Sequence, residues 1–272
     1  MRDLSTLVSS FAASHGVGED QLAVSLVDFR SPNAVRHFRG DELFYPASVV
    51  KLYFLAYLAF CLDEDRVQLS PELDRAARDM IVDSSNDATA LVVDAITQTT
   101  GGPELEPPEL ARWMEQRQQV NKWLRTQGFS ANASQKTWNE GSYGRERQGA
   151  GPNLEHRNSC TANDTLKLQV AIHRDQILSP ERCAWMRGLL SRSIPADDPL
   201  AGLQAREFIG AALPAGSKLW SKAGYMSEVR NDVAVFELPN GETFGLAIFT
   251  RGLSDRLDLI PQLAEVLVES LW

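Results

Sequence analysis

Residues 44–58 read FYPASVVKLYFLAYL, an apolar stretch that nevertheless carries Ser48 and, three positions later, Lys51. Side chains three positions apart on a helix are neighbours, so this hydroxyl and this amine can lie within hydrogen-bonding distance. Burial lowers the pKa of a lysine from about 10.4, and a neutral amine can remove the proton of a serine. The stretch therefore predicts a helix over residues 48–62 with a nucleophile and its base near the start. A serine helix cap followed by a surface lysine is the alternative interpretation.

The composition excludes several classes of protein. A chain of 272 residues, 43% of them hydrophobic, can fill a substantial core, so we expect a folded protein rather than a disordered one. The net charge of −9 provides no basic surface for nucleic acid. The most apolar segments, at 22–27 and 49–62, are too short or too interrupted to span a bilayer, so we expect no membrane partner.

Cysteine and histidine usage argues against a disulfide framework and against a metal site. Cys61, Cys160 and Cys183 are an odd number without a CxxC pair, so free thiols are expected. The four histidines show no metal-ligand spacing, so neither a metal nor another cofactor is predicted. Free thiols and the lack of a visible signal peptide favour the cytoplasm.

The order of secondary structure predicts the fold class. Strands are expected at both ends of the chain and helices in the middle. The predicted strands are residues 21–29, 34–40, 217–223, 229–237 and 243–250. This order suits an α/β (α+β) fold, in which an antiparallel sheet flanked by terminal helices stands beside a helical lobe, with the active site in the cleft between them. We predict that residues 1–61 and 201–272 form the α/β lobe and residues 62–200 the helical lobe.

Two further triplets contain residues that can do chemistry. Ser84 and Asn86 interrupt a predicted helical region and supply a hydroxyl and a carboxamide, although turn formation explains such a triplet cheaply. Lys222, Ala223 and Gly224 follow on a predicted strand, where the lysine can hold a carboxylate and the glycine lets a ligand approach the backbone. An ordinary lysine on an edge strand is the alternative here.

The three motifs occur in the order SxxK, SxN and KxG, which matches the motif set of serine β-lactamases and penicillin-binding proteins. The likeness extends through the stretches DSSNDATALVVD, LPAGSKLWSKAG and VRNDVAVFELPNGETFGLAIFT. The chain resembles this superfamily over nearly its whole length, most weakly over residues 99–160, and it is most similar to the class A β-lactamases.

This resemblance implies roles for the residues of the motifs. Ser48 would attack a β-lactam or peptide carbonyl and form an acyl-enzyme. Lys51 and Ser84 would transfer protons, and Asn86 would position the substrate amide. The backbone N–H groups of Ser48 and Tyr225 would form the oxyanion hole.

The resemblance also implies a carboxylate site. Two residues of the motifs, one of them at this site, depart from the family pattern. Lys222 would hold the substrate carboxylate, with Arg230 as a second cation, and Gly224 would admit the substrate to the strand. Ala223 stands where the family usually has a threonine or serine hydroxyl, so weaker anchoring of β-lactams is expected. Ser85 stands where the family usually has an aspartate.

The general base of deacylation is the least defined residue. Class A enzymes carry a glutamate followed four residues later by asparagine, and this spacing is absent from the polar loop at 129–158. Glu146 lies nearest the expected distance, and Glu155 is followed three residues later by Asn158. Both are candidates, and a solvated loop carboxylate is the simpler interpretation of each.

Together these observations predict a serine hydrolase that acts on β-lactam-like amides through an acyl-enzyme on Ser48. One alternative is an esterase or D-alanyl-D-alanine peptidase-like acyl-transferase that deacylates β-lactams poorly, and another is a non-catalytic binding module. The expected partner is a small molecule, either a β-lactam, a peptide or an ester, and we expect a monomer. The family acts outside the cytoplasm, so the resemblance and the missing signal peptide give conflicting expectations for localisation.

Overall fold

The chain forms two structural units that are interleaved in sequence. The computed structural model describes residues 3–32, 34–138, 141–194 and 202–271. The first unit comprises residues 1–49 and 161–272, and the second comprises residues 50–160.

The secondary structure begins with a helix, contains a long helical region, and ends with three strands and a helix. The described helices are α1 (Leu4–Ser14), α2 (Lys51–Asp63), α3 (Pro71–Val82), α4 (Asn86–Thr97), α5 (Pro107–Arg117), α6 (Gln119–Thr126), α7 (Gly144–Ala150), α8 (Ala162–His173), α9 (Pro180–Leu190), α10 (Leu203–Arg206) and α11 (Leu259–Glu269). The described strands are β1 (Leu22–Asp28), β2 (Arg36–Phe38), β3 (Ser191–Arg192), β4 (Lys218–Met226), β5 (Val229–Glu237) and β6 (Thr243–Thr250).

The first unit is built on an antiparallel sheet with the strand order β2-β1-β6-β5-β4-β3. Each neighbouring pair of strands is antiparallel, and β1 pairs with β6 over its full length, from Leu22↔Thr250 to Asp28↔Phe244. The two ends of the chain therefore assemble one sheet, and the predicted α/β fold with an antiparallel sheet is confirmed.

One face of this sheet is covered by the terminal helices. Leu4, Val8 and Phe11 of α1 are buried in the same core cluster as Leu263 and Leu267 of α11. The spacing of these leucine, valine and phenylalanine residues places each set on one helical stripe, which is why both helices bury one side against the sheet. The predicted flanking by terminal helices is therefore observed.

Helix α8 covers the opposite face of the sheet. Phe244 and Leu246 of β6 belong to the core beneath the terminal helices, so Gly245 between them faces the other way. A Cβ atom at Gly245 would lie 2.9 Å from Cδ1 of Leu166 and 3.3 Å from Cγ2 of Val170, both in α8. Glycine thus allows the helix to approach the strand closely.

This packing explains why the units divide differently from the predicted lobes. The first unit includes residues 161–200, which the sequence assigned to the helical lobe, because α8 contacts β1, β5 and β6 and α9 contacts β4. The second unit begins at residue 50, because α2 packs against α3, α4 and α6 of that unit. A periodic apolar pattern predicts a helix but does not say which neighbour the helix will cover.

The second unit is organised around α2, in which almost every side chain is buried. The two helices that follow are separated by a polar break, as predicted, and each begins with a serine cap. Ser70 accepts a hydrogen bond from the N–H of Leu73 at the start of α3, and Ser85 accepts one from the N–H of Ala88 at the start of α4. The caps satisfy donors that the first turn of a helix leaves free.

The middle of the second unit differs from its predicted structure. The helix expected over 109–127 is divided into α5 and α6 at Gln118. The region expected to be a surface loop, 129–158, contains α7 and buried side chains, among them those of Lys136 and Glu146. Ion pairs to neighbouring helices hold these charged side chains inside the unit, and a sequence pattern does not reveal such pairs.

Two further expectations concern the cysteines and membranes. The three cysteines are buried free thiols, as predicted. Within the described ranges, none of the helices combines the length and the apolar character needed to cross a bilayer.

Candidate active site

Ser48 lies in a short 3-10 helix, Ala47–Val50, that runs directly into α2. The N–H of Val49 donates to the carbonyl oxygen of Pro46 at 3.1 Å, which closes this turn. Ala47 has a φ of 46°, a left-handed conformation that costs a non-glycine residue on the order of 1 kcal/mol. Ser48 therefore stands at the start of a helical segment, where backbone N–H groups lack helical acceptors.

Gly224 brings strand β4 against the backbone of Ser48. A Cβ atom at this position would lie 2.6 Å from the nitrogen of Ser48, 2.6 Å from the nitrogen of Val49 and 2.7 Å from the oxygen of Pro46. These atoms belong to the backbone and cannot rotate away, so glycine is required for the strand to lie here. The next residue is Tyr225, so the two N–H groups predicted for the oxyanion hole belong to segments that touch.

Lys51, the first residue of α2, is fully buried and is surrounded by oxygen atoms of its own unit. Its Nζ atom lies 2.6 Å from the carbonyl oxygen of Ser84, 3.2 Å from Oγ of Ser84 and 2.8 Å from Oδ1 of Asn86. A neutral amine has two protons and one lone pair. It can donate to the carbonyl and amide oxygens and accept a hydrogen bond from the Ser84 hydroxyl.

Burial lowers the pKa of Lys51 to about 7, because desolvation penalises the ammonium form. At neutral pH a substantial fraction of the amine is thus free of its third proton. This is the property that the sequence analysis required of a lysine base.

The turn between α3 and α4 presents Ser84 and Asn86 to this lysine. Ser84 has a φ of 58°, a left-handed conformation that is uncommon for serine. Ser85 caps α4, and Asn86 is the first residue of that helix. The structure therefore brings Lys51, Ser84 and Asn86 together, three of the residues predicted from the motifs.

Thr137 is a site residue that the sequence analysis missed. Its Oγ1 atom donates to Oδ1 of Asn86 at 2.7 Å, so this amide oxygen is shared between Thr137 and Lys51. The threonine is buried, with 6% of its surface exposed. A single threonine in a polar segment carries no sequence signal that would have indicated this contact.

The structure surrounds Glu146 with cations. Its Oε1 atom lies 2.5 Å from Nη2 of Arg117 and 3.1 Å from Nζ of Lys136, and the glutamate is 1% exposed. The same two cations bind Asp94, at 3.1 Å and 2.7 Å respectively. This four-residue ion cluster ties α4, α5 and α7 to the segment that carries Thr137. The simpler interpretation, a solvated carboxylate, is therefore wrong for Glu146.

Glu155 remains at the surface in a loop that it stabilises itself. Its Oε2 atom accepts from the N–H of Asn153 at 2.8 Å. The backbone N–H groups of Glu155 itself and of Asn153 lower the pKa of this carboxyl group. These contacts describe a loop carboxylate, and its role in deacylation stays a prediction.

Strand β4 carries the predicted carboxylate site of the first unit. Lys222 is fully buried, and its Nζ atom donates to Oε1 of Gln204 at 2.7 Å and to the carbonyl oxygen of Ala223 at 2.5 Å. The N–H of Ala223 also donates to Oε1 of Gln204, at 3.2 Å. Gln204 belongs to α10 and was not predicted as a site residue.

Arg230, on β5, is opposite Tyr225 in the sheet. Its guanidinium lies 4.5 Å from the ring centre of Phe208 and 5.6 Å from that of Tyr225. Its Nη2 atom forms an ion pair of 3.2 Å with Glu207. Tyr225 itself is 55% exposed, so this end of the strand is open to solvent.

The chain belongs to the Beta-lactamase enzyme family, whose sequence profile matches residues 70–271. This range contains the Ser84, Asn86 and Lys222 motifs and begins after Ser48 and Lys51. The solved structures described next share the fold of the chain.

Several solved structures share the fold of the whole chain. PBP-A is 19% identical with a TM-score of 0.70, covering 99% of this chain and 97% of that chain. A variant of the last common ancestor of class A β-lactamases of Gram-negative bacteria is 19% identical with a TM-score of 0.71, covering 99% and 98%. A β-lactamase from Sphaerobacter thermophilus is 19% identical with a TM-score of 0.72, also covering 99% and 98%. At this identity the likeness shows the fold alone. No curated protein sequence matches the chain.

The contact between Gly224 and Ser48 can be tested with Gly224→Ala. The added methyl group must displace either β4 or the turn at Ser48, and misplacement of a reacting group by about 1 Å costs about a hundredfold in rate. The acylation of Ser48 that the sequence predicts, followed with a fluorescent penicillin, should slow by about that factor. Gly188→Ala is the control, because a Cβ atom there meets nothing within 4 Å. Equal acylation rates in the two variants would contradict this account of the strand.

The burial of Lys51 can be tested through the pH dependence of stability. The folded-state pKa of about 7 lies below the unfolded value, so burial of the ammonium destabilises the fold fully below pH 7 and progressively less as the pH rises above 7. Relative to Lys51→Met, the wild type should gain about 2–3 kcal/mol of unfolding free energy between pH 7 and pH 9, at about 1.4 kcal/mol per pH unit. Urea unfolding at several pH values measures this difference.

The control for this measurement is Lys167→Met, in which the lost lysine is an exposed residue of α8. Replacing an exposed side chain usually changes the free energy of unfolding by less than about 0.5 kcal/mol. A stability difference between Lys51→Met and the wild type that stays constant over this pH range would show that Lys51 stays charged in the folded protein.

Proposed function

We propose that the protein is a serine hydrolase that opens β-lactam-like amides through an acyl-enzyme on Ser48. The observation that carries this proposal is the contact of the buried Lys51 amine with both Ser84 and Asn86. A fold needs no buried lysine next to a strained serine turn, and burial of an unpaired charge is costly. A neutral base three positions after the proposed nucleophile in the sequence gives this arrangement a chemical purpose, and membership of the Beta-lactamase enzyme family supports it.

In the proposed acylation, Nζ of Lys51 accepts the proton of Ser48 as Oγ bonds to the substrate carbonyl carbon. The negative charge that develops on the carbonyl oxygen is stabilised by the N–H groups of Ser48 and Tyr225. The carbon–nitrogen bond then breaks, and the proton passes from Lys51 through the hydroxyl of Ser84 to the leaving nitrogen. The product is an ester between Ser48 and the acyl group.

The substrate is proposed to be held at its amide and at its carboxylate. Asn86 would donate its side-chain N–H to the substrate amide, because its oxygen is already occupied by Lys51 and Thr137. Lys222 would pair with the carboxylate. Arg230 would supply a second cation at the exposed end of the strand, although its guanidinium already pairs with Glu207.

Deacylation requires a base that activates water. The contacts of the candidate bases favour a second candidate function, in which deacylation is slow. Thr137, which contacts Asn86, is a hydroxyl group and not a base at neutral pH. Glu146 is already paired with two cations, and Glu155 is bound to its own loop. We therefore keep an esterase or D-alanyl-D-alanine peptidase-like activity, with slow release of β-lactams, as the second candidate. A variant of the similar protein PBP-A was solved as an acyl-enzyme complex with penicillin G.

Intact-protein mass spectrometry after a brief exposure to benzylpenicillin tests both candidates. We expect an adduct on the wild type and none on Ser48→Ala, because the ester can form only on the Ser48 hydroxyl. Rapid disappearance of the adduct indicates a β-lactamase, whereas persistence together with rapid hydrolysis of p-nitrophenyl acetate indicates the second candidate.

The control variant is Ser130→Ala, which removes an exposed serine that also lies two positions before an asparagine. It should form the adduct as the wild type does. An adduct of equal yield on Ser48→Ala, or neither an adduct on the wild type nor hydrolysis of benzylpenicillin by it, would contradict the proposed nucleophile.

A further inference from the structure

Gln204 occupies the position at Lys222 where the proposed function requires a substrate carboxylate. One oxygen atom, Oε1 of Gln204, accepts hydrogen bonds from Nζ of Lys222 at 2.7 Å and from the N–H of Ala223 at 3.2 Å. An ammonium and a backbone N–H that converge on one oxygen form the kind of donor set that binds a carboxylate oxygen. The carboxamide of the chain itself fills this set.

The N–H of Ala223, which donates to Gln204, lies on the edge of the sheet that faces the substrate in the proposed function. Strand β4 pairs with β5 from Lys218 to Met226, whereas among the described residues β3 pairs only with Leu219 and Trp220. The N–H groups of alternate residues in a strand point to the same edge. The N–H of Ala223 therefore points the same way as that of Tyr225, which is assigned to the oxyanion hole. Gln204 thus covers the open edge of β4 next to that group.

The segment that carries Gln204 is fixed to the sheet at two points. The N–H of Ile209 donates to Oδ2 of the fully buried Asp232 at 3.1 Å. Glu207 forms its ion pair with Arg230. Both anchors are on β5, the strand beside β4, so they hold α10 next to Lys222. The carboxamide is therefore positioned by the fold.

We propose that Gln204 determines substrate specificity by competing with the substrate carboxylate for Lys222 and the N–H of Ala223. The inference rests on the proposed function of Lys222 as the carboxylate anchor. A carboxylate regains both hydrogen bonds and adds a charge pair, so it displaces the carboxamide, whereas an uncharged ester at the same position has no such gain. Gln204 therefore weakens the binding of anionic substrates, whereas an uncharged ligand leaves the carboxamide in place.

Two substitutions of Gln204 should change binding in opposite directions. Gln204→Met keeps the length of the side chain and removes the oxygen, so a carboxylate ligand no longer has a competitor. Gln204→Glu places a carboxylate of the chain on Lys222 and blocks an anionic ligand by repulsion. A purely structural role for Gln204 predicts that both substitutions weaken binding.

The experiment compares benzylpenicillin with its methyl ester, which lacks the charge of the carboxyl group and carries one added methyl group. Dissociation constants are measured by calorimetry in the Ser48→Ala background, so that no acylation takes place. We expect Gln204→Met to tighten benzylpenicillin binding about ten- to a hundredfold, from the strength of a hydrogen bond to a charged group, and Gln204→Glu to weaken it by at least tenfold. Binding of the methyl ester should change less than threefold in each case.

Leu203→Met is the control, because Leu203 is a neighbouring residue of α10 with 51% of its surface exposed. It should leave both dissociation constants unchanged. Parallel changes for the acid and its ester, the same direction of change for both Gln204 variants, or no binding of benzylpenicillin by any variant would overturn the proposal. Binding in the predicted order, with neither an adduct on Ser48 nor hydrolysis of benzylpenicillin by the wild type, would instead sustain this inference and refute the acyl-enzyme.

Discussion

The removal of the Lys51 amine from water is the interaction on which the rest of the site depends. A buried ammonium is tolerated only where acceptors surround it, and here Ser84 and Asn86 supply them. The same acceptors fit a neutral amine that donates twice and accepts once from the hydroxyl of Ser84. The pKa of about 7 means that the protein holds this group near the midpoint of its titration at neutral pH. A base with such a pKa is available to take a proton and is also able to return it.

Backbone strain accounts for part of the free-energy cost of this arrangement. Ala47 and Ser84 are non-glycine residues in left-handed conformations, one beside the proposed nucleophile and the other beside the lysine. Gly224 adds a constraint of close packing. Strand β4 can approach the N–H of Ser48 only because residue 224 has no side chain. Within each unit, strain and close packing at these positions accompany a fixed placement of the proposed catalytic groups before a substrate arrives. Such fixed groups need little rearrangement during the reaction.

The sequence predicted site residues that lie close together within one helix, turn or strand. It did not predict contacts between polar residues that are far apart in the chain. Ser48, Lys51, Ser84 and Lys222 were found because their spacing within a helix, a turn or a strand is short and their order is specific. Thr137, Gln204 and the ion cluster of Glu146 were not found, because each contact joins polar residues that are far apart in the chain, such as Thr137 with Asn86. The strands and the terminal helices followed from hydrophobic periodicity. The assignment of α8 to the sheet did not, since it depends on the lack of a Cβ atom at Gly245, where Leu166 lies close to the strand.

The most direct test of the account is the titration of Lys51 itself. The side-chain resonances of a uniformly labelled protein can be followed by NMR from pH 5 to pH 11, with Lys51→Met used to assign the signal. The account predicts that one lysine titrates near pH 7 and that this signal is absent from the variant. A Lys51 signal that titrates near the ordinary lysine value of about 10.4 would contradict it, because the amine would then be charged at neutral pH and unable to activate Ser48.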